Sequence, residues 1–303
     1  MGELRFDGQV AVVTGAGKGL GRAYAEQLAA RGAAVLVNNR RHAGEVEGSA
    51  GEVAAAIRRL GGRAAANYEA ADAPGSGQRI VEAALEEFGR IDVVIPNAGI
   101  AAVAAFHKMT LERIDEVFAV NLRGALEVVH AALPHLRGQG SGRILMTTSS
   151  AALYGDAGFV VYAAAKSALL GFVASLALES TRAGVGVNAI LPFAHTPMTE
   201  GLFRGDAFPE GAAGVLDPAS VASLATWLVS RECDRTGEVW LAGGNAFRHA
   251  AILVSPGVVV DGGVTAEAIA ERADEIADLA GGDTYPSGQA LLDDLARRAL
   301  GGA

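Results

Sequence analysis

The chain has 303 residues, half of them hydrophobic, with 34 acidic against 25 basic side chains and a formal net charge of −9 at pH 7. That length suffices for one large or two small domains with a sizeable core. The acidic balance leaves no basic surplus to neutralise a phosphate backbone, so nucleic acid is not an expected partner.

The first apolar run, Val10-Ala11-Val12-Val13, reads as a strand and leads into Thr14-Gly15-Ala16-Gly17-Lys18-Gly19-Leu20-Gly21. Residues 22–31 read as a helix closed by Gly32, and 34–37 as a second strand. Strand, glycine-rich turn, helix and strand within about thirty residues is the context of a dinucleotide-binding βαβ unit. Its glycines let backbone N–H groups approach a pyrophosphate at the positive end of the helix. Gly15, Gly17, Lys18, Gly19 and Leu20 are therefore candidate cofactor contacts. NAD recognition expects a carboxylate after the second strand. This chain has Asn38-Asn39-Arg40-Arg41 there, and no acid before Glu45. Guanidiniums at this edge pair with a 2′-phosphate, which favours NADP(H), with NAD(H) the alternative.

Residues 49–60 and 77–88 read as helices, 63–68 as a weak third strand and 91–95 as a fourth, which runs into Pro96-Asn97-Ala98-Gly99. A long helix over 111–136 holds Asn121 at its middle, where a polar side chain needs a partner. A fifth strand, 143–148, delivers Ser149 at its C-terminal end, the edge at which open α/β sheets bind ligands. A long helix over 161–181 follows, then a sixth strand at 185–190. Residues 193–215 carry three phenylalanines (Phe193, Phe203, Phe208) and read as a lid. Asp217-Pro218 opens a helix to 230, a seventh strand spans 237–242, and 246–260 reads as a β-ribbon interrupted by Ser255-Pro256-Gly257. Two amphipathic helices, 265–279 and 287–300, end the chain. The expected fold is α/β, a Rossmann-type doubly wound parallel sheet of about seven strands flanked by helices, with a C-terminal ribbon and helical extension.

A single cysteine, Cys233, excludes an intrachain disulfide and lies between Glu232 and Asp234, which disfavour a thiolate. No apolar signal core or membrane-length run is read, so a cytoplasmic location is expected, with no membrane partner and no metal site.

Chemistry concentrates between Ser149 and Lys166. A hydroxyl precedes Tyr162 by thirteen residues, and Lys166 follows it by four, one helical turn, on the same face. An ammonium beside a phenol favours phenolate and lowers a pKa that is otherwise about 10. Such a phenol can give or take a proton at a carbonyl or carbinol oxygen. Thr148 and Ser150 flank Ser149 without that spacing, and Tyr154 lacks a lysine one turn on.

Together these residues resemble the short-chain dehydrogenase/reductase family over residues 6–243. Thr14-Gly15-x-x-x-Gly19-x-Gly21 matches its cofactor turn, and Asn97-Ala98-Gly99 matches its Asn-Asn-Ala-Gly motif with Pro96 in place of the first Asn. Asn121, Ser149, Tyr162 and Lys166 fall on its catalytic tetrad. Ile190-Leu191-Pro192-Phe193-Ala194-His195-Thr196 matches the stretch near the nicotinamide, with Phe193 where Gly is usual. Within the family the chain is similar to the (3R)-hydroxyacyl-CoA dehydrogenase domain of peroxisomal multifunctional enzyme type 2 and its bacterial relatives. That similarity rests on Leu4-Arg5-Phe6-Asp7-Gly8, Arg22-Ala23-Tyr24-Ala25, Asn121-Leu122-Arg123-Gly124 and Leu153-Tyr154-Gly155.

The resemblance implies hydride transfer between a nicotinamide cofactor and a secondary alcohol or ketone, such as a 3-hydroxyacyl or 3-ketoacyl thioester. A steroid or other bulky ketone is the alternative substrate, and a catalytically silent NADP(H)-binding regulator the alternative of another class. It implies Tyr162 as acid or base, Ser149 on the substrate oxygen, Lys166 on Tyr162 and the nicotinamide ribose, and Asn121 holding a relay water. Asn39, Arg40, Arg41, Asn97, Ala98, Gly99, Tyr162, Lys166, Pro192 and Thr196 join the glycine turn around the cofactor. It further implies a catalytic domain over 1–242, an extension over 243–303 that packs on the body or on a dimer partner, and a homodimer or homotetramer. Ala163, Ala164, Ser167 and Gly171 are the candidate helix face for that contact.

Overall fold

A computed structural model describes residues 2–41, 48–203, 211–260 and 264–300. They divide into two compact units, 1–249 and 250–303.

The first unit is built on one eight-stranded sheet in the order β3-β2-β1-β4-β5-β6-β7-β8. The strands are β1 (Val10–Val13), β2 (Ala34–Asn38), β3 (Arg63–Asn67), β4 (Val93–Ile95), β5 (Gly142–Thr147), β6 (Val185–Phe193), β7 (Val239–Gly243) and β8 (Ala246–Ala250). From β3 to β7 every pairing is parallel. The helices between them are α1 (Gly19–Ala30), α2 (Gly48–Arg59), α3 (Ser76–Phe88), α4 (Leu111–Phe118), α5 (Gly124–Gln139), a short α6 (Ala151–Tyr154), α7 (Val160–Ser180), a short α8 (Ala212–Val215) and α9 (Pro218–Leu228).

Helices on both faces explain why the inner strands read as unbroken apolar runs: β1, β2 and β4 are buried at every position. Alternation along a strand sends side chains to opposite faces. Thus Ala11 and Val13 of β1 join one core with α1, α2 and α9, while Val12 joins the other with α3, α5 and α7. The strand order reverses between β1 and β4, so the loops after these two strands open a crevice at the carboxyl edge of the sheet.

The elements follow the sequence expectation, with four differences that have physical reasons. Helix α1 starts three residues early, because the last glycines of the turn form its first turn. The long helix over 111–136 is interrupted by a π turn at Ala119–Arg123. Strand β6 continues through Pro192 to Phe193, where Phe193 pairs with Gly243, a residue with no side chain to crowd it. Only the first part of the ribbon expected over 246–260 forms a strand. Residues 246–250 turn back through Gly244, at φ 57°, and extend the main sheet beyond β7 as an antiparallel eighth strand.

Helix α7 also corrects the expectation that no segment reaches membrane length. Val160–Ala183 is long and apolar enough to cross a bilayer by length and composition. One side of it, including Val161, Leu169 and Val173, is buried in the cores. The opposite line of Ala164, Ala168, Gly171, Ser175 and Leu178 is exposed. Of the four small residues expected on an open face, only Ala164 and Gly171 are fully exposed; the Ser167 hydroxyl turns inward to donate to Ala152 O at 2.8 Å.

The second unit holds α10 (Ala266–Glu271), α11 (Ala273–Ala277) and α12 (Gly288–Ala299). The helix expected over 265–279 is thus broken at Arg272. Val254 and Asp283 exchange two backbone hydrogen bonds of 2.9 Å, and Arg298 ties α12 to Pro256 O at 2.7 Å. No described residue of this unit is buried, and Leu292, Leu295 and Leu300 lie exposed along α12.

Candidate active site

Strand β5 ends at Thr147, and the next three residues all carry hydroxyls with different fates. Thr148 is buried and donates from Oγ1 to Lys166 O at 2.9 Å. Ser150 is exposed at the start of α6. Ser149 lies between them, accepts weakly from Ala151 N at 3.3 Å, and is the hydroxyl that acts on the Tyr162 phenol, drawing its pKa down. The thirteen-residue spacing therefore selects the one hydroxyl of three that meets the tyrosine. Tyr154, the rival phenol, is 87% exposed.

Tyr162 stands in the first turn of α7, with its ring set edge-on to Phe159 at 5.9 Å. Burial pushes its pKa above the ordinary phenol value, and the Ser149 hydrogen bond pulls it back. The direction is opposite to the lowering expected from Lys166, which is not among the groups that shift this phenol. Lys166 shares the face, but its buried ammonium donates to Thr147 O at 2.8 Å. Loss of water around that ammonium lowers its pKa to about 8. Two of its three N–H donors remain for other acceptors.

Asn121 sits in the π turn, which adds a residue to the helical ladder and faces this side chain inward. Its carboxamide grips one residue from both sides: Oδ1 accepts from Ile100 N at 2.7 Å and Nδ2 donates to Ile100 O at 2.8 Å. That reciprocal pair answers the demand of a polar residue in an apolar helix. One amide hydrogen and one lone pair remain for a water.

The glycine turn is clamped to the loop after β4. Thr14 Oγ1 accepts from Asn97 N and Ala98 N, both at 3.1 Å, and Asn97 Nδ2 donates to Thr14 O at 3.1 Å and Gly15 O at 3.2 Å. Gly15 has φ 62°, and a Cβ there would lie 2.7 Å from Ala98 Cα. Asn97 and Ala98 thus hold the turn in shape, a role that spacing did not reveal. Gly99 follows against the site, where an added Cβ would lie 3.1 Å from Asn121 Oδ1 and 3.7 Å from Lys166 Nζ. Gly17 packs on Asn39 and Ser49, and Gly19 on Thr196, which a turn closed by Thr199 holds in place. Lys18 precedes α1 with no side-chain cap, and the buried face of that helix seats Leu20 against the core. Among the described residues no acceptor meets the N–H groups of Gly19, Leu20 and Gly21. Such a helix start suits a phosphate, so the turn fits a dinucleotide. Pro192 lies in β6 two positions before Ala194, whose carbonyl accepts from Thr199 Oγ1 at 2.6 Å.

At the end of β2, Asn39 donates to Ser49 Oγ at 2.9 Å and to Arg40 O at 3.1 Å, and carries no charge. Arg41 stacks its guanidinium over the Tyr68 ring at 4.3 Å, and Arg40 is exposed. Glu45 lies outside the described residues, as do residues 204–210 of the expected lid; the rest of that segment includes a 3₁₀ turn at Glu200–Phe203 and α8. Sequence reasoning missed Ser49, Tyr68 and Thr147. Each acts through a contact distant in sequence.

Comparisons with known proteins bear on the fold and the family. Residues 9–206 match the family model described as short chain dehydrogenase. A Mycobacterium tuberculosis protein named as a short-chain type dehydrogenase/reductase is 39% identical over 277 residues, covering 90% of this chain and 95% of its own. Mouse peroxisomal multifunctional enzyme type 2 is 43% identical over 244 residues, covering 79% of this chain but 32% of the mouse protein. The solved structure of full-length peroxisomal multifunctional enzyme type 2 from Drosophila melanogaster superposes with a TM-score of 0.84 at 29% identity, covering 98% of this chain and 50% of that one. The chain therefore spans about a quarter to a half of the multifunctional enzymes it matches.

Lys166 gives a signed prediction. An unfolded chain titrates this lysine at its ordinary 10.5, the folded chain at about 8. Between those values the unfolded chain holds the extra proton, so the burial penalty is complete below the folded pKa and fades as pH rises toward the unfolded one. Lys166→Met should therefore raise the Tm of cofactor-free protein near neutrality, with a smaller gain in alkaline buffer. Calorimetry of both proteins across that range checks it; a gain that grows with pH would contradict the assignment.

Proposed function

The chain belongs to the short-chain dehydrogenase/reductase family, and from that membership we propose that it moves a hydride between NADP(H) and a secondary alcohol or ketone, with a 3-hydroxyacyl or 3-ketoacyl thioester as substrate. The observation that carries the reaction is the meeting of Ser149 and Tyr162 beyond β5, with buried Lys166 one helical turn on. The thioester follows from the resemblance in sequence to hydroxyacyl-CoA dehydrogenases.

A nicotinamide dinucleotide, when bound, supplies the hydride donor or acceptor. The N–H groups opening α1 would hold its pyrophosphate, and Arg40 and Arg41 would hold its 2′-phosphate. Gly99 borders Asn121 and Lys166, and Thr196 packs on Gly19 of the turn. Ser149 donates a hydrogen bond to the substrate oxygen and fixes the carbonyl against Tyr162. In reduction Tyr162 gives its phenolic proton to that oxygen; in oxidation it removes the proton from the alcohol. Its raised pKa keeps the phenol protonated for the reductive direction. Lys166 places a positive charge near the developing phenolate and directs its free N–H donors to a ribose hydroxyl. Asn121 holds a water with its remaining amide groups, and that water returns protons to Lys166.

The exposed line on α7 and the uncovered leucines of the second unit support a homodimer in which a second copy covers both. Gly171 has open space around it, so Gly171→Arg leaves the protomer intact and blocks close approach. Sedimentation velocity should show a dimer for the native chain and a monomer for this variant; a monomeric native chain would overturn the reading.

Two substitutions test the chemistry. Tyr162→Phe should lower turnover of 3-ketoacyl thioesters with NADPH by about a hundredfold or more, while NADPH fluorescence titration shows unchanged binding. Replacing Arg40 and Arg41 by alanine should weaken NADPH binding about tenfold or more and leave NADH binding unchanged. Equal loss for both cofactors would remove the basis for NADP(H).

A further inference from the structure

The segment after Gly99 leaves a cleft that the reaction described above does not use. It has a volume of about 300 Å³ and is lined by Ala101, Val103, Lys108, Met109, Thr110 and Arg113. Its wall is tied to the catalytic centre at both ends. Ile100, just before the wall, is gripped by Asn121, and Ala104 N donates to Gly158 O at 3.0 Å, four residues before Tyr162.

The lining is two-natured. Val103 is 66% exposed, and Phe106 and Leu111 in the same segment are 56% and 74% exposed. So much open apolar surface within ten residues is unusual and marks a contact site. The charged part is a pair of cations. Lys108 has no carboxylate or hydrogen-bond partner for its ammonium among the described residues. Arg113 is oriented by Ala101 O at 3.2 Å and by Glu116, which offsets part of its charge, and Glu112 stands in the first turn of α4. The cation without a partner among the described residues of this lining is therefore Lys108, and the guanidinium of Arg113 belongs to the same lining. Apolar surface next to a free ammonium fits a ligand with a greasy arm and an anionic end.

We propose that this cleft holds the phosphate-bearing arm of a coenzyme A-type thioester, with Lys108 pairing to a phosphate and Val103 and Met109 lining the pantetheine arm. The assignment rests on the thioester reading above and deepens it, since it separates the group that is reduced from the group by which the substrate is recognised. Binding energy made far from the reacting carbon positions that carbon without taking part in the chemistry.

The test compares one acyl group on two carriers: acetoacetyl-CoA and the N-acetylcysteamine thioester of acetoacetate, which has no phosphate. Lys108→Glu should raise KM for the CoA ester about tenfold, leave its kcat unchanged, and leave both constants for the short thioester unchanged. Lys108→Arg should restore the CoA-ester KM. Equal changes for the two carriers, no change for either, or an altered sedimentation coefficient for the variant would each overturn the proposal. If native protein reduces neither thioester, the thioester reading fails on its own. Free coenzyme A is then assayed as an inhibitor of whichever ketone is reduced. Competitive inhibition that Lys108→Glu weakens about tenfold keeps the phosphate site; absence of inhibition removes it.

Discussion

Two hydrogen bonds running in opposite directions between β5 and α7 hold this active site in place. Lys166 Nζ donates to Thr147 O at 2.8 Å, and Thr148 Oγ1 donates to Lys166 O at 2.9 Å. Adjacent residues of the strand end thus seize one lysine by its side chain and by its backbone. The pair fixes the rotation of α7 about its axis, and with it the direction of Tyr162 one turn earlier. It also fixes the strand end from which Ser149 projects. An ammonium held away from water survives only where a dipole meets it, and here the meeting carbonyl belongs to the same strand that presents the serine. The buried charge and the contact that aligns the strand end with the helix are one feature.

The rest of the first unit serves that alignment in layers. The parallel sheet is covered on both faces and places its carboxyl ends at one edge, and the reversal between β1 and β4 opens the crevice there. The second unit follows different physics. Ordering each residue opposes folding by roughly 1–2 kcal/mol, and among its described residues this unit has no buried one to offset that within itself. Its order is instead supported by a few polar ties, such as Tyr285 OH to Asp294 at 2.7 Å and Ser255 Oγ to Ile276 O at 2.6 Å.

Most of the sheet was legible because parallel strands covered on both faces carry an unmistakable signature: short, continuous apolar runs such as Val10-Ala11-Val12-Val13, punctuated by glycine. The pairing of Ser149 with Tyr162 was legible because a strand end followed by a helix turns a fixed spacing into proximity. What Lys166 touches was not, since Thr147 O is a backbone group without a sequence mark. The π turn at Ala119–Arg123 was signalled only indirectly, by the misplaced polarity of Asn121. The eighth strand escaped because its residues, Ala246-Phe247-Arg248-His249-Ala250, are open to solvent and lack an apolar pattern. The stronger apolar run just after it drew the expected ribbon to the wrong place.

The loop after β4 has one more consequence. Asn97 and Ala98 are bonded to the glycine turn, Ile100 to Asn121, and Ala104 to Gly158 beside the catalytic tyrosine, all within eight residues of chain. That short span is a ruler. Its first marks locate the nucleotide turn, its middle mark the π turn, and its last mark the approach to the phenol. Lengthening it by one residue would shift the glycine turn, the π turn and the approach to Tyr162 relative to one another. The spacing of these parts is therefore set by the length of a loop rather than by the identity of any side chain on it.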